Sequence, residues 1–347
     1  MKTGMKTRHF RYPYRRRSRS PLWLLVGLAG LGALAAVLAA RRRGSSGDEE
    51  TPADRAAARR EPIGSTPAAE PALRTESYLE AAPPESLAVW IAGPAGNLFV
   101  RDGGDPAAGA APVLFVHSLA GNGGQWALQL DHLRRHRRAV AFDLRGHGDS
   151  DPADDGDYTV PALAQDVAAV ADQLDLRHFV LVGHSLGAAV AIEYAGRHPE
   201  RLAGLLLVDP NGDQTRVPRE QMEPFLAALR SDPYRELDSY FRQLVIHGDR
   251  DAGRWVLEDL VLTAEDAIVK AVEGALEYAP LPALARYPGP KLSIISDMNS
   301  LPFSLHELLP ALPLRLMPGT GHWLQMDRPE AFNRLLDEFL GGVDGGG

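Results

Sequence analysis

Residues 179–187 read FVLVGHSLG, and residues 188–197 continue as AAVAIEYAGR. A run of apolar, partly β-branched residues passes into Gly183-His184-Ser185-Leu186-Gly187 and then into a pattern with helical period. A serine between two glycines at a strand-to-helix turn suits a nucleophile elbow. The turn is sharp, the glycines let strand and helix approach without a Cβ clash, and the helix N-terminus favours negative charge developing beside the serine. Ser185 is therefore the candidate nucleophile.

A serine hydroxyl attacks well only when a neighbouring base takes its proton. Of the 11 histidines, His322 has the setting for one. Gly319-Thr320-Gly321-His322-Trp323 follows the last strand-like run and precedes the C-terminal helical stretch, which puts a loop at the same sheet edge as the elbow. His184 points along the elbow itself, His147 sits in a Gly-rich turn, and His132, His136 and His198 fall on polar helix faces or ends. An oxyanion also needs donors. The apolar VLFV at 113–116 runs into His117-Ser118-Leu119-Ala120-Gly121, a turn whose backbone N–H groups can face a pocket. The backbone N–H groups of Leu119 and Leu186 are the natural pair.

Around these motifs, short apolar runs alternate with helical ones from about residue 86 to 340. Strands are expected at 87–91, 97–101, 112–117, 138–143, 179–183, 205–209, 291–295 and 314–317, with helices near 125–136, 160–176, 186–197 and 329–340. Two opening strands joined by a short turn, then strand–helix alternation, imply an antiparallel edge on a mostly parallel sheet with helices on both faces. Residues 211–285 break the rhythm: they are amphipathic and helical, and an inserted cap over the strand ends is expected there. Phe225, Tyr234, Tyr240, Phe241 and Trp255 are its candidates for an apolar pocket wall, each also serving as a packing residue.

The N-terminal region reads differently. Residues 1–43 hold 11 of the 37 Lys and Arg and none of the 45 Asp and Glu, so the remainder carries 26 basic against 45 acidic residues. Leu22–Ala40 is uncharged and apolar, with eight basic residues before it and Arg41–Arg43 after it. A helix of that length reaches about 28 Å, near the ~30 Å of a bilayer core. The expectation is a basic N-terminus (1–21) in the cytoplasm, a transmembrane helix or uncleaved signal anchor (22–40), and an extracytoplasmic body, periplasmic in a Gram-negative cell. The alternative is a secretory leader that is cleaved. Residues 41–85, rich in Ala, Pro, Glu and Arg, are expected to form a linker, and 341–347 a Gly-rich tail. The acidic body argues against nucleic acid as a partner. With no cysteine, a thiol nucleophile, disulfides and thiolate-bound zinc are excluded. The acidic loop Asp151, Asp154, Asp155 and Asp157 lacks a histidine pair at metal-ligand spacing and reads as a solvated turn.

Five motifs in order, HSLAGNGGQW (117–126), DLRGHGDS (143–150), GHSLG (183–187), LLLVDP (205–210) and GTGHW (319–323), resemble the α/β-hydrolase superfamily in its cap-bearing, esterase-like branch. The resemblance covers roughly 86–340. It implies an eight-stranded sheet, a Ser–acid–His triad, a small-molecule ester or acyl substrate, and hydrolysis with no metal or cofactor. A serine at 185, where some members carry aspartate, argues against chemistries that need a carboxylate nucleophile. The sequence departs from the pattern at Ser118, where glycine is commoner, and at the acid. The position a few residues past the 291–295 strand falls on Asn299, with Asp297 two residues earlier. A second location used in the superfamily, the end of the preceding strand, points to Asp209, and Asp251 in His247-Gly248-Asp249-Arg250-Asp251 imitates the acid loop from within the cap. The expected function is an acyl hydrolase working through an acyl-enzyme at Ser185. An acyltransferase of the same fold and a non-catalytic binding protein are the alternatives.

Overall fold

A computed structural model of the protein describes residues 87–105 and 110–345. Eight strands form one sheet: β1 (Leu87–Gly93), β2 (Gly96–Gly103), β3 (Val113–Val116), β4 (Ala139–Phe142), β5 (Phe179–His184), β6 (Leu202–Val208), β7 (Lys291–Ser296) and β8 (Leu314–Met317). Their order is β1-β2-β4-β3-β5-β6-β7-β8. The β1–β2 hairpin and the β2–β4 pair are antiparallel, and every later pair is parallel. This is the eight-stranded sheet with an antiparallel edge that the sequence pattern implied. The central strands VLFV, AVAF and LAGLLLV are buried along their whole length, because helices cover both faces and leave no solvent side to alternate with.

One face carries α1 (Ala127–Leu133) and the C-terminal helix, whose Trp126, Leu133 and Phe332 pack beneath Phe115 and Val182. The other face carries α2 (Val160–Gln173) and α3 (Leu186–Arg197), with Leu163, Val167, Val190 and Tyr194 against Leu114, Leu181 and Leu205. Between β6 and β7 come α4 (Arg219–Ser231), α5 (Pro233–Leu244), α6 (Arg250–Asp259), α7 (Glu265–Glu277) and α8 (Pro280–Arg286). The first four share their own apolar cluster, including Phe225, Leu237, Phe241, Val256 and Ile268, which joins the body through Trp323 and Met326. Although α8 lies largely inside the range expected for a cap, it packs on α3, where a Cβ on Gly196 would meet Ala283. Short helices α9 (Leu305–Leu308) and α10 (Leu324–Asp327) precede α11 (Pro329–Asp344).

The chain passes from β3 to β4 on one side and from the next crossover to β5 on the other, so the sheet order reverses between β3 and β5. Crevices outside the carboxyl ends of parallel strands open at such switch points. The turn after β3 and the elbow after β5 are therefore neighbours by topology.

The expectation of an N-terminal transmembrane helix is corrected here, and with it the single-pass membrane placement and the membrane partner. Among the described residues no helix is long and apolar enough to cross a membrane. The longest, α11, has 16 residues and carries Glu330, Arg334, Asp337 and Glu338. At about 1.5 Å per residue it spans roughly 24 Å, short of a ~30 Å hydrocarbon core. The segment 22–40 on which that expectation rested, with its basic flank and the linker 41–85, lies outside the described residues. The tail expected from Gly341 is also shorter, since α11 runs on to Asp344. That carboxylate accepts a hydrogen bond from Arg137 Nη2 at 2.9 Å, which ties the last turn to the sheet edge.

The two elbow glycines sit where no Cβ fits. A Cβ on Gly183 would stand 2.2 Å from the Gly187 carbonyl oxygen, and one on Gly187 would stand 2.4 Å from that of His117. Gly183→Ala is expected to lower stability by about 2–3 kcal/mol, since overpacking against backbone has no side chain to displace. Urea denaturation of parent and variant, followed by tryptophan fluorescence, measures it; an unchanged midpoint would contradict the close approach.

Candidate active site

Ser185 joins β5 to α3 with φ +55° and ψ −114°, a backbone conformation that side chains rarely adopt. Its amide donates to Val208 O at 2.9 Å, fastening the elbow to β6. Its hydroxyl donates to Asn211 Oδ1 at 3.0 Å. Both residues line a cavity of about 420 Å³ between body and cap, along with His322, Leu119 and Leu186.

Asp209 follows β6 directly and has φ +42°, one of three strained non-glycine positions at this edge, with Ser185 and Ala120. The conformation is fixed from β7, because Asp209 N–H donates to Ile294 O at 2.8 Å. The carboxylate is 2% exposed and its oxygens are fully engaged. It accepts from Ser296 N at 2.9 Å, Ser296 Oγ at 3.0 Å, Asn299 Nδ2 at 3.1 Å and His322 Nδ1 at 2.6 Å. A carboxylate in this position can only accept, so the His322 proton sits on Nδ1 and the Nε2 lone pair is left free.

Of the three carboxylates considered from the sequence, Asp209 is the one that meets His322. Asp297 Oδ2 accepts from Gly319 N at 2.9 Å and so shapes the histidine loop from outside. Asp251 lies on α6 and pairs with Arg254 at 2.6 Å. Asn299, where a carboxylate is commoner in the resembling family, donates to Asp209 instead. In the acidic loop, Asp151 accepts from Asn97 N and Nδ2, both at 2.9 Å, and Asp157 caps the approach to α2 through Thr159 N, also at 2.9 Å.

The backbone N–H groups of Leu119 and Leu186 have no protein acceptor among the described residues, and both residues line the cavity. Ala120 beside Leu119 has φ +49°, and Gly121 N–H closes the turn on Ser118 O at 3.1 Å. Gln125 braces the same turn: its Oε1 accepts from Ser118 Oγ at 3.4 Å and Trp323 Nε1 at 3.3 Å, and its Nε2 donates to Asp259 of the cap at 3.1 Å. The hydroxyl at Ser118 thus finds a partner within the turn.

The histidine loop is held from three sides. His184 Nε2 donates to the His322 carbonyl at 2.9 Å. Burial, with the His322 ring alongside, holds the His184 imidazole well below its usual titration range and keeps it neutral. His322 N–H donates to Leu244 O, the end of cap helix α5, at 3.0 Å. Asp327 accepts from Gly321 N at 2.7 Å and from Asp249 N at 2.9 Å, clamping the cap loop to the histidine loop. Asn211 and Ser296 lie in no motif, and Gln125 lies in one that gave it no role; their parts follow from the fold. The turn Asp209-Pro210-Asn211-Gly212 is the one local hint that residue 211 faces the site.

A family model described as the alpha/beta hydrolase fold matches residues 111–249. The dihydrolipoyllysine-residue acetyltransferase component of the acetoin cleaving system of Cupriavidus necator is 30% identical over 259 residues, covering 70% of this chain and 66% of that protein. Its Pseudomonas putida counterpart is 28% identical, and 64% of its length is covered. The chain thus spans just under two thirds of these two relatives. The sn-1-specific diacylglycerol lipase of Mus musculus is 26% identical, with 66% of this chain and 80% of that protein covered. The chain belongs to the α/β-hydrolase superfamily. Solved α/β-hydrolase folds align closely, among them a thermophilic esterase from Thermogutta terrifontis (TM-score 0.64, 23% identity, 74% of this chain and 99% of that one). An enol-lactonase from Burkholderia xenovorans is similar (TM-score 0.63, 22% identity, 73% and 99%). Membership of this superfamily supports hydrolase or acyl-transfer chemistry.

Two carboxyls at the cap–body seam are pushed up to about 6 by burial, Asp327 and Asp259. Each binds its proton more readily folded than unfolded, so protonation favours the fold. That contribution is complete below the ordinary value of 3.8 and is lost as pH rises through about 6. Between about pH 4 and pH 6.5 the Asp327→Asn variant is expected to lose less stability than the parent. Thermal melts across that window read the difference, and parallel slopes would contradict it.

Proposed function

We propose that this chain is a serine hydrolase of carboxylic esters or related acyl compounds. Ser185 attacks the acyl carbon, His322 Nε2 takes the serine proton, and Asp209 holds the imidazole by its Nδ1–H and balances the imidazolium charge. The backbone N–H groups of Leu119 and Leu186 receive the oxyanion, the second reinforced by the N-terminus of the 12-residue helix α3. The acid–base pair then returns its proton to the leaving group, and water resolves the acyl-enzyme through the same histidine.

The observation that carries this reading is the 2.6 Å hydrogen bond between His322 Nδ1 and the buried Asp209 carboxylate, in a cavity that also holds the elbow serine. A histidine oriented in this way has its free nitrogen available as a base, which a purely structural His–Asp pair at a surface would not need. The cavity walls favour a neutral substrate. Val217, Phe225, Leu237, Phe241 and Leu301 supply apolar surface, and among the described residues no Lys or Arg lines the space to meet an anionic group. Esters with uncharged acyl groups fit this chemistry.

Ser185→Ala is expected to abolish turnover of p-nitrophenyl esters and labelling by a serine-directed phosphonate, with the labelled peptide in the parent containing Ser185. Asp209→Asn is expected to lower kcat by roughly 10⁴, as an imidazole left in the wrong tautomer does. Asp297→Asn, which only loosens the contact to Gly319, should stay within about tenfold of the parent. Steady-state kinetics and mass spectrometry measure these. A parent inert to both ester and phosphonate would return the chain to the binding-protein reading.

A further inference from the structure

Asn211 is the acceptor that the Ser185 hydroxyl finds in the cavity. In the resting site its Oδ1 accepts the Ser185 hydroxyl proton at 3.0 Å, and among the described residues Ser185 Oγ donates to no other protein acceptor. Its Nδ2 has no protein partner among the described residues, and the residue lines the cavity beside His322. It follows Asp209 by two positions, in the turn after β6. The sheet order β3-β5-β6 puts that turn on the flank of the elbow away from the β3 turn that carries Leu119. The acid–base pair occupies the same flank, through Asp209 of this turn.

The consequence follows from counting protons. Acylation converts Ser185 Oγ into an ester oxygen, whose former proton has gone by way of His322 to the leaving group. The ester oxygen has no hydrogen to donate, so Asn211 Oδ1 loses its partner at that step. A half-buried acceptor without a donor costs free energy until another donor arrives. The next molecule to enter beside His322 and the acyl carbon is the water that resolves the intermediate. It has two hydrogens: one faces His322 Nε2, and the other needs an acceptor about 3 Å from the old serine position.

We propose that Asn211 is a catalytic residue for deacylation, accepting one hydrogen of the attacking water at the site that the serine proton vacates. The statement rests on the serine-hydrolase reading above. The water oxygen bonds to the acyl carbon as one hydrogen passes to His322 and the other stays on the new hydroxyl, held by Asn211 Oδ1. The tetrahedral intermediate then breaks its bond to Ser185 Oγ, which takes the proton back from His322. The free carboxylic acid leaves, and the Ser185 hydroxyl donates once more to Asn211. Acylation needs none of this, since there the same acceptor competes with His322 for the serine proton.

The two half-reactions therefore respond differently to the side chain. Rapid mixing of the purified chain with p-nitrophenyl acetate, and intact-mass measurement after acid quench, separate them. For Asn211→Ala the burst of p-nitrophenol is expected to be at least as fast as in the parent. The following steady rate should fall roughly tenfold, the worth of one hydrogen bond at the transition state, and the +42 Da acetyl adduct should accumulate. Asn211→Ser, which restores a short oxygen acceptor, should recover part of the steady rate and lower adduct occupancy. The proposal is overturned if Asn211→Ala deacylates at the parental rate, or if burst and steady phases slow by the same factor, which marks a structural role. A parent that forms neither adduct nor phosphonate conjugate sinks the serine-hydrolase reading itself. A parent that acylates normally beside an unaffected Asn211→Ala sinks only the role of Asn211.

Discussion

The close approach of β5, α3 and the turn after β3 is the constraint from which the site follows. Ser185 is held at a positive φ that costs on the order of 1–3 kcal/mol, and a residue keeps such a conformation only where its surroundings over-determine it. Here they do so by backbone contact. Gly183 and Gly187 meet main-chain oxygens at distances that exclude a side chain, and the Ser185 amide is tied to Val208. Because Gly187 packs on the carbonyls of Val116 and His117, the contact that fixes the nucleophile also fixes the start of the turn bearing Leu119. Ser185 and the backbone of Leu119 and Leu186 are thus set by one packing event at the reversal of strand order.

The histidine is positioned differently, and the cap takes part. The backbone N–H of His322 is satisfied by the last turn of α5, and Asp327 joins Gly321 to Asp249 across the same seam. Burial raises Asp327 and Asp259 toward neutral pH, the signature of carboxyls held at an interface that excludes water. Movement of α5 away from the body would therefore do more than widen the cavity. It would release a hydrogen bond on the backbone of His322 itself, so access to the cavity and alignment of His322 are coupled through a shared main-chain contact.

Much of this was legible in the residues because it is written in local chemistry. The central strands are visible as apolar runs, since a sheet buried on both faces tolerates little else, and Ser185 and His322 stand in glycine-flanked turns with few alternative uses. The partner of His322 was harder. Asp209 and Asp297 each follow a strand directly at the same edge, and which of them meets His322 depends on a contact 113 residues apart that no periodicity records. The contributions of Asn211, Gln125 and His184 come from long-range contacts, 26, 198 and 138 residues apart in sequence, which composition does not reveal. The end of α11 was misread for a related reason: two glycines lower helix propensity, but the ion pair from Asp344 to Arg137 outweighs that local preference.

Asparagine at 299 is the clearest sign that the carboxylate at 209 is part of an integrated arrangement. Asp209 and the side chain at 299 lie within hydrogen-bond distance, at 3.1 Å. Two carboxylates that close cannot both ionise, so an aspartate at 299 would hold a proton or force one onto Asp209, and a shared proton would weaken the charge that steadies the imidazolium. An amide removes the conflict and supplies a donor. Together with the amide and hydroxyl of Ser296 it satisfies the Asp209 lone pairs that His322 leaves free, so the buried carboxylate keeps no unpaired oxygen. The amide at 299 and the carboxylate at 209 are therefore a single feature, because each residue makes chemical sense only in the company of the other.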